Sequence, residues 1–333
     1  MTESQPSPAV LRLAGTAEVE RRLAAARLLS RQCVICPRRC EVDRDAGERG
    51  FCNVGPRATV ARSLAHFGEE PPISGSAGAG TIFLEGCTLR CGYCQNHQIS
   101  RGGAGGGIGH GELAALMLEL QDAGCHNVEW VSPTQSVPAL VEALFMAVGQ
   151  GLRLPLVYNT GGFESIEALA LLDGLVDVYL PDMKYSNPDT ALRLSGRSDY
   201  VTANRRAVGE MYRQVGPPVL DERGLIRRGI IVRHLVLPGL LDETYEVLAW
   251  IVEELSPKVG LSIMSQYVPL SDKAGAGPVR RLDPDEYGTA LEWVERLGFE
   301  QVWAQSMPDP KETDRYLPDF SREEPFGFFP VTG

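Results

Sequence analysis

Six short apolar segments alternate with amphipathic segments between residues 81 and 297, and this alternation constrains the fold more than any other feature. The apolar segments are rich in β-branched residues, as residues 229–237 illustrate. Strands that are buried on both faces of a parallel sheet have this composition. The predicted strands are residues 81–85, 127–131, 155–159, 177–181, 229–237 and 261–267. The predicted helices are residues 112–123, 136–148, 164–172, 199–214, 242–254 and 284–297.

Strands that alternate with helices imply parallel, right-handed crossovers, and six such units predict an α/β fold, a partial (β/α)6 barrel. In barrels of this kind the chemistry lies at the carboxyl ends of the strands. Polar or unusual residues follow each predicted strand, so we expect one catalytic mouth to collect them. They are Cys87, Cys91 and Cys94; Ser132, Pro133, Thr134 and Gln135; Asn159, Thr160, Gly161 and Gly162; Asp182 and Lys184; Pro238 and Gly239; and Gln266 and Tyr267.

Three cysteines with the spacing C-x3-C-x2-C directly follow the first predicted strand, at Cys87, Cys91 and Cys94. Three closely spaced thiolates suit a [4Fe–4S] cube held at three of its four irons, since full ligation takes four thiolates. The remaining iron is then open to a substrate, as in other catalytic metal sites. The alternative is a zinc knuckle that His97 completes.

A second cysteine group precedes the barrel and has the spacing C-x2-C-x3-C-x11-C. Four thiolates in one short segment with glycines predict a single metal site, either a zinc ion or a second iron–sulfur cluster. The site is either an electron relay or a structural staple for a small N-terminal lobe. We therefore predict a lobe at residues 1–65 and a barrel with a C-terminal extension at 66–333. The four cysteines are Cys33, Cys36, Cys40 and Cys52.

Three further expectations concern the first 80 residues. Residues 1–15 are expected to lack regular structure, and residues 17–30 are predicted to form an amphipathic helix. Residues 69–80 are rich in Pro, Gly and Ser and are expected to be a linker.

Composition and charge bear on the partners. The formal net charge is −11, which disfavours nucleic-acid binding because that draws on Lys and Arg. No run of 18 or more apolar residues is present, so no membrane span is predicted. The N-terminus also lacks the pattern of a secretory signal. Eight cysteines without such a signal indicate a reducing compartment and metal ligation, and we expect a cytoplasmic protein.

Together, the cysteine triplet, the segments 158–163, 178–185 and 232–239, and the Cys-Pro-Arg knuckle at 36–38 resemble the radical S-adenosylmethionine (SAM) superfamily. Within it, the chain resembles the pyruvate formate-lyase activating enzyme-like iron–sulfur proteins, over roughly residues 30–320. The resemblance implies a partial radical SAM barrel, and it implies that Cys87, Cys91 and Cys94 hold a [4Fe–4S] cluster whose open iron binds SAM.

Individual SAM contacts are also implied by the resemblance. Tyr93 matches the aromatic residue that flanks the adenine. Asp182 and Lys184 match the Asp-x-Lys near the carboxylate of SAM, and Asn159 and Thr160 match a polar pair near the same end. The chain departs from the superfamily after the second strand, where residues 132–135 replace the Gly-Gly-Glu that binds the amino group of SAM.

The resemblance implies an enzyme that cleaves SAM reductively to a 5′-deoxyadenosyl radical, which abstracts hydrogen from a substrate. The substrate is either a glycine of a partner enzyme, as in glycyl-radical activation, or another small molecule or protein. A non-catalytic iron–sulfur electron-transfer protein is the alternative from a different class. The implied partners are a low-potential electron donor of the flavodoxin or ferredoxin type and a protein substrate.

Overall fold

The computed structural model describes residues 7–102, 105–270, 277–309 and 316–326. In these residues nine strands form one sheet in the order β1-β2-β3-β4-β5-β7-β8-β9, and β6 pairs with β7. All neighbours along this path are parallel except β1 and β2. The strands are β1 (Val60–His66), β2 (Ala79–Leu84), β3 (Val128–Val131), β4 (Leu156–Thr160), β5 (Val178–Pro181), β6 (Val219–Leu220), β7 (Ile226–Leu235), β8 (Gly260–Met264) and β9 (Gln301–Ala304).

Ten α-helices accompany these strands in the described residues. Between the inner strands they cover one face of the sheet, as right-handed crossovers require. They are α1 (Ala17–Arg31), α2 (Pro71–Ser74), α3 (His97–Ser100), α4 (His110–Asp122), α5 (Val137–Gly149), α6 (Ile166–Leu172), α7 (Pro188–Ser195), α8 (Tyr200–Val215), α9 (Leu241–Trp250) and α10 (Pro284–Leu297). One π-helical turn, Ile251–Leu255, extends α9.

Local sequence explains where the later helices begin and end. The side chain of Asn187 accepts hydrogen bonds from the first turn of α7, and the side chain of Asp283 does the same for α10. A proline occupies the first turn of both helices, where its missing N–H costs nothing. Gly196 and Gly298 end these helices with φ of 67° and 78°, which glycine adopts without strain.

The predicted α/β part-barrel is confirmed. The sheet has two edges, β1 and β9, which do not pair with each other in the described residues, so the barrel stays open. The six predicted strands correspond to β2, β3, β4, β5, β7 and β8. Three strands were missed: β1 and β9 carry half-exposed, weakly alternating sequences, and β6 has only two residues.

Two expectations about the first 80 residues are wrong. Residues 69–80 are not a linker, because they contain α2 and the start of β2, and Glu70 and Ile73 are buried there. Within 1–15, Ala9–Arg12 forms a 3-10 helix, and the backbone N–H of Ala9 donates to Asp177 at 2.7 Å. The rest of that expectation, over residues 1–6, lies outside the described residues. Burial against the rest of the chain determines the structure of both segments, and the composition of a segment does not reveal that burial.

The main core lies between the sheet and its helices. Trp130 and Tyr158, on β3 and β4, are fully buried in it. None of the helices in the described ranges is long and apolar enough to cross a membrane.

Candidate active site

The carboxyl ends of the parallel strands open into a cavity of about 370 Å³. Side chains that follow five of the six predicted strands line it, as a single catalytic mouth requires. Of the residues expected there, Pro133, Gly162, Pro238, Gly239 and Tyr267 lie outside its described lining. The expected residues that line it include Cys87, Cys91, Tyr93, Cys94, Ser132, Thr134, Gln135, Asn159, Thr160, Asp182, Lys184 and Gln266.

The cysteine loop leaves β2 through a glycine that no other residue could replace without movement. Gly86 has φ of 81°, and a Cβ there would lie 2.8 Å from the carbonyl oxygen of Cys52. The loop then turns so that the N–H groups of Leu89 and Arg90 lie 3.4 and 3.5 Å from the Cys87 sulfur. Donors of this kind stabilise a thiolate and tune an iron–sulfur cluster.

The three thiols of the loop line the cavity. None of the eight cysteines forms a disulfide. Burial raises the pKa of Cys94 to about 12, and it also raises the pKa of Cys91, although the Lys184 charge opposes this. At neutral pH these groups lose their protons only when a metal replaces them. The donor set therefore fits a [4Fe–4S] cluster with one iron left open.

The zinc-knuckle alternative requires three or four ligands that converge on one ion. Among the described residues no three Cys, His, Asp or Glu side chains converge in this way. The thiolates of a [4Fe–4S] cluster bind different irons, so they lie further apart than the ligands of one ion. The arrangement of Cys87, Cys91, Cys94 and His97 gives the zinc knuckle no support.

A chain of buried hydroxyl groups ties the loop to α7. The hydroxyl of Tyr93 lies 2.7 Å from that of Tyr185, which lies 2.8 Å from the hydroxyl of Ser195. The Ser195 oxygen is 2.9 Å from the Cys91 sulfur. Sequence reasoning missed Ser195, because α7 is too short to show a clear periodicity, and it gave Tyr185 no role of its own. The chain fixes the ring of Tyr93 at the wall of the cavity.

Asp182 and Lys184 follow β5 and form an ion pair beside the thiols. Burial acts to lower the pKa of Lys184, but the charges of Asp182, Cys91 and Cys94 raise it above its ordinary value. The ammonium group therefore stays charged at the mouth. A compact, partly buried cation of this kind can neutralise a ligand carboxylate.

The segment that carries this pair is held by two buried side chains of α8. The Asn204 amide donates to the carbonyl oxygens of Asp182 and Gly162, at 2.8 and 2.9 Å. The Tyr200 hydroxyl donates to the carbonyl oxygens of Gly161 and Asp182, at 2.9 and 3.1 Å. Four hydrogen bonds thus join the turns after β4 and β5 to one helix.

His234 supports the same segment from the opposite side. Its Nδ1 lies 2.7 Å from the carbonyl oxygen of Met183, and its Nε2 lies 3.0 Å from the Thr244 hydroxyl. Because neighbouring residues of a strand face opposite ways, Arg233 lines the cavity while His234 packs toward α9. The histidine is therefore a packed, hydrogen-bonded residue and not a ligand.

The His234→Gln variant is expected to lose part of the pH dependence of stability. Burial lowers the pKa of His234 to about 4, from an ordinary value of 6.5. A lowered folded-state pKa stabilises the fold above pH 6.5, and this contribution is lost as the pH falls toward 4. The wild type should lose about 2 kcal/mol more than the variant between about pH 7.5 and about pH 5. Anaerobic chemical denaturation measures this, and equal slopes would contradict it.

The polar pair at the end of β4, Asn159 and Thr160, forms hydrogen bonds with buried carboxyl groups. The Asn159 amide donates to Glu129 at 2.7 Å. Thr160 and Thr134 both donate to Glu164, the latter at 2.6 Å, and burial raises the pKa of Glu164 to about 7. Glu129 and Glu164 were missed, because both look like ordinary strand and helix residues. Asn159 and Thr160 still line the cavity, between these acids and the Asp182 turn.

The floor of the cavity is charged. Arg233 lies 3.0 Å from Glu69 and 3.0 Å from Glu70, and all three side chains are largely buried. The glutamates come from the segment that was expected to be a linker, so their role was missed. A buried ion pair of this kind sets the polarity of the cavity more than it stabilises the fold.

The chain is similar in sequence to several known proteins. The model of the Radical SAM superfamily matches residues 81–251, just over half of the chain. An uncharacterised protein of Methanocaldococcus jannaschii is 29% identical over 289 residues, 84% of this chain and 78% of that protein. The pyruvate formate-lyase-activating enzyme of Listeria monocytogenes is 26% identical over 174 residues, 49% of this chain and 63% of that enzyme.

Among solved structures, Streptococcus suis SuiB bound to S-adenosylmethionine is 10% identical. The match covers 66% of this chain and 48% of SuiB, with a TM-score of 0.45. The chain thus spans about half the length of SuiB and under two thirds of the Listeria enzyme.

The family match decides the class. The fold and the superfamily model together define an enzyme of the radical SAM type. The chain belongs to the Radical SAM superfamily, as its cysteine triplet predicted. Membership implies a [4Fe–4S] cluster and SAM as cofactors, and the thiol set described above fits that cluster.

Proposed function

We propose that this protein cleaves SAM reductively at a [4Fe–4S] cluster held by Cys87, Cys91 and Cys94, and that a glycine of a partner protein supplies the hydrogen that is then abstracted. One observation carries the proposal. The three thiols and the Asp182–Lys184 pair converge on one cavity at the carboxyl edge of the sheet. A pocket with a cluster on one side and a partly buried cation on the other suits an amino acid cofactor.

The cluster that Cys87, Cys91 and Cys94 would hold would, when bound, supply one electron for the reductive cleavage of SAM. Lys184 neutralises the carboxylate of SAM, and Asp182 holds the ammonium group of Lys184 in place. The ring of Tyr93 forms the wall against which the adenine packs. Asn159 and Thr160 act at the same end of the cofactor. Cavity walls that exclude water protect the radical from side reactions.

Lys184→Ala is expected to weaken SAM binding without changing iron content. Loss of a charge-assisted hydrogen bond costs about 1–3 kcal/mol, roughly a 5- to 150-fold rise in Kd. Anaerobic calorimetry on the reconstituted protein measures it. The exposed Lys258 gives the matched control, Lys258→Ala, which should bind SAM as the wild type does. Equal affinities in both variants would leave the Asp182–Lys184 ion pair as a structural feature only.

A partner glycine is the favoured substrate because this chain resembles the Listeria pyruvate formate-lyase-activating enzyme over about half of its length. The electron would come from a low-potential donor of the flavodoxin or ferredoxin type. The N-terminal thiols Cys33, Cys36, Cys40 and Cys52 would hold a second metal within the lobe at residues 1–65, with the barrel at 66–333.

The test is an anaerobic reaction of the reconstituted protein with SAM, a reductant and a candidate partner. Formation of 5′-deoxyadenosine that requires all three components, with a glycyl radical EPR signal on the partner, is the expected result. If deoxyadenosine forms only with a small molecule, that molecule would replace the partner glycine as the assigned substrate, and the assignment of SAM cleavage would stand. No deoxyadenosine with any substrate, from a protein with a full cluster, would overturn the proposed function.

A further inference from the structure

The N-terminal thiols form one compact group outside the catalytic cavity. Cys33, Cys36 and Cys52 are buried, and Cys40 is half-buried. A Cβ on Gly50 would lie 2.8 Å from the Cys40 sulfur, which places Cys40 beside the segment that carries Cys52. The loop that carries them is held by backbone bonds, with the Glu41 N–H 2.9 Å from the Cys33 carbonyl oxygen.

A buried arginine faces these thiols. Arg44 is 3% exposed, and its Nη2 lies 3.1 Å from the Cys33 sulfur and 3.5 Å from the Cys52 sulfur. The Nε of the same guanidinium is buried and has no hydrogen-bond partner. A buried cation is costly unless an opposite charge faces it. Neutral thiols do not supply that charge, whereas four metal-bound thiolates do.

The loop lies directly against the catalytic cysteine loop. The Arg38 Nε donates to the Thr88 carbonyl oxygen at 2.5 Å. Cys36 packs in the same buried cluster as Leu89, Cys91 and Tyr93. The loop that carries the N-terminal thiols therefore contacts the loop that carries the catalytic thiols.

Contact with the loop of the catalytic thiols favours a cluster over a zinc ion, because zinc has no redox chemistry and cannot pass an electron on. A cluster places each thiolate on a separate iron, and its reduction potential can be set by nearby charges and hydrogen bonds such as those of Arg44.

We infer that Cys33, Cys36, Cys40 and Cys52 bind a second [4Fe–4S] cluster that takes one electron from a low-potential protein donor and passes it to the catalytic cluster. The inference rests on the proposed function for the identity of that acceptor. In each transfer one cluster is oxidised by one electron and the next is reduced by one, with no bond made or broken. The Arg44 guanidinium offsets part of the negative charge of the thiolates.

Metal content is the first test. The anaerobically reconstituted wild type should hold about eight irons per chain, and the variant Cys87→Ala/Cys91→Ala/Cys94→Ala should hold about four with a cubane EPR signal. That variant leaves the N-terminal loop intact, so folding of the loop is not in question. One zinc per chain with no second cluster would overturn the inference, and so would no metal at this site.

Electron transfer is the second test. In the variant Cys36→Ser/Cys40→Ser, the rate at which reduced flavodoxin reduces the catalytic cluster should fall by at least about tenfold. A rate measurement readily resolves a change of about one order of magnitude. Reduction by dithionite should stay within about twofold, which also shows that the catalytic site is folded. The control is Cys125→Ser, a buried thiol outside both groups, which should match the wild type in both rates.

An unchanged flavodoxin rate in Cys36→Ser/Cys40→Ser would refute the relay, and equal slowing with dithionite would assign the site a structural role instead. Neither assay contains SAM. Failure of the wild type to form deoxyadenosine with dithionite would therefore count against the proposed function and not against this inference.

Discussion

Cys91→Ala is expected to abolish reductive SAM cleavage. Cys91 is buried, and its sulfur contacts the Ser195 hydroxyl. With one of three ligands gone, the cluster is either lost or detached from its loop. We expect deoxyadenosine formation to fall by at least ~10³-fold, which corresponds to about 4 kcal/mol of activation free energy. Product chromatography together with iron analysis and EPR measures this.

Cys125→Ala is the matched control for that variant. Cys125 is equally buried, but it packs in the main core, away from the cavity. It should keep wild-type iron content and activity, apart from a modest loss of stability. If Cys91→Ala retained both the EPR signal and its change on SAM addition, the assignment of the catalytic ligands would be wrong.

Gly162→Ala is expected to cause the largest loss of stability among single changes near the site. Gly162 has φ of 71°, and a Cβ there would lie 2.1 Å from the Asn204 amide nitrogen and 2.5 Å from the Asp182 carbonyl oxygen. The left-handed conformation costs an alanine about 1–2 kcal/mol. Displacing the buried Asn204 amide from its two acceptors costs about 1–3 kcal/mol more.

The sum predicts a free energy of unfolding that is lower by about 2–5 kcal/mol, measured by anaerobic chemical denaturation. SAM affinity should fall as well, because the Asp182 turn must move. The adjacent Gly161→Ala is the control, since its Cβ would meet nothing closer than Leu89 at 3.3 Å and its φ is not left-handed. Equal stabilities of the two variants would show that the Asn204 bridge is not tightly packed.

The strands and the cysteine loop were readable from the sequence because their signals are local. Residues 81–85 and 229–237 are apolar and β-branched, and three cysteines within eight residues need no tertiary information to be noticed. The position of Asp182 and Lys184 was also readable, since residues after a parallel strand collect at one edge.

The residues that support the site could not be predicted from the sequence, because their signals are not local. Asn204 and His234 act through hydrogen bonds to carbonyl groups that are distant in sequence, at Gly162 and Met183. Glu69 and Glu70 lie in a segment whose Pro and Gly content is typical of a linker, yet they pair with Arg233 on β7. Such pairings depend on how crossovers bring strands together, which residue spacing does not encode.

The sequence by itself determined the class of fold, the superfamily and the two groups of thiols, because periodicity and cysteine spacing are properties of short segments. Only the tertiary structure decided how these parts meet. It brought the N-terminal thiols against the catalytic loop through Arg38 and Thr88, and it buried Arg44 in front of them. Contacts between distant segments follow from packing of the whole chain, since burial of apolar surface and pairing of buried charges are decided together.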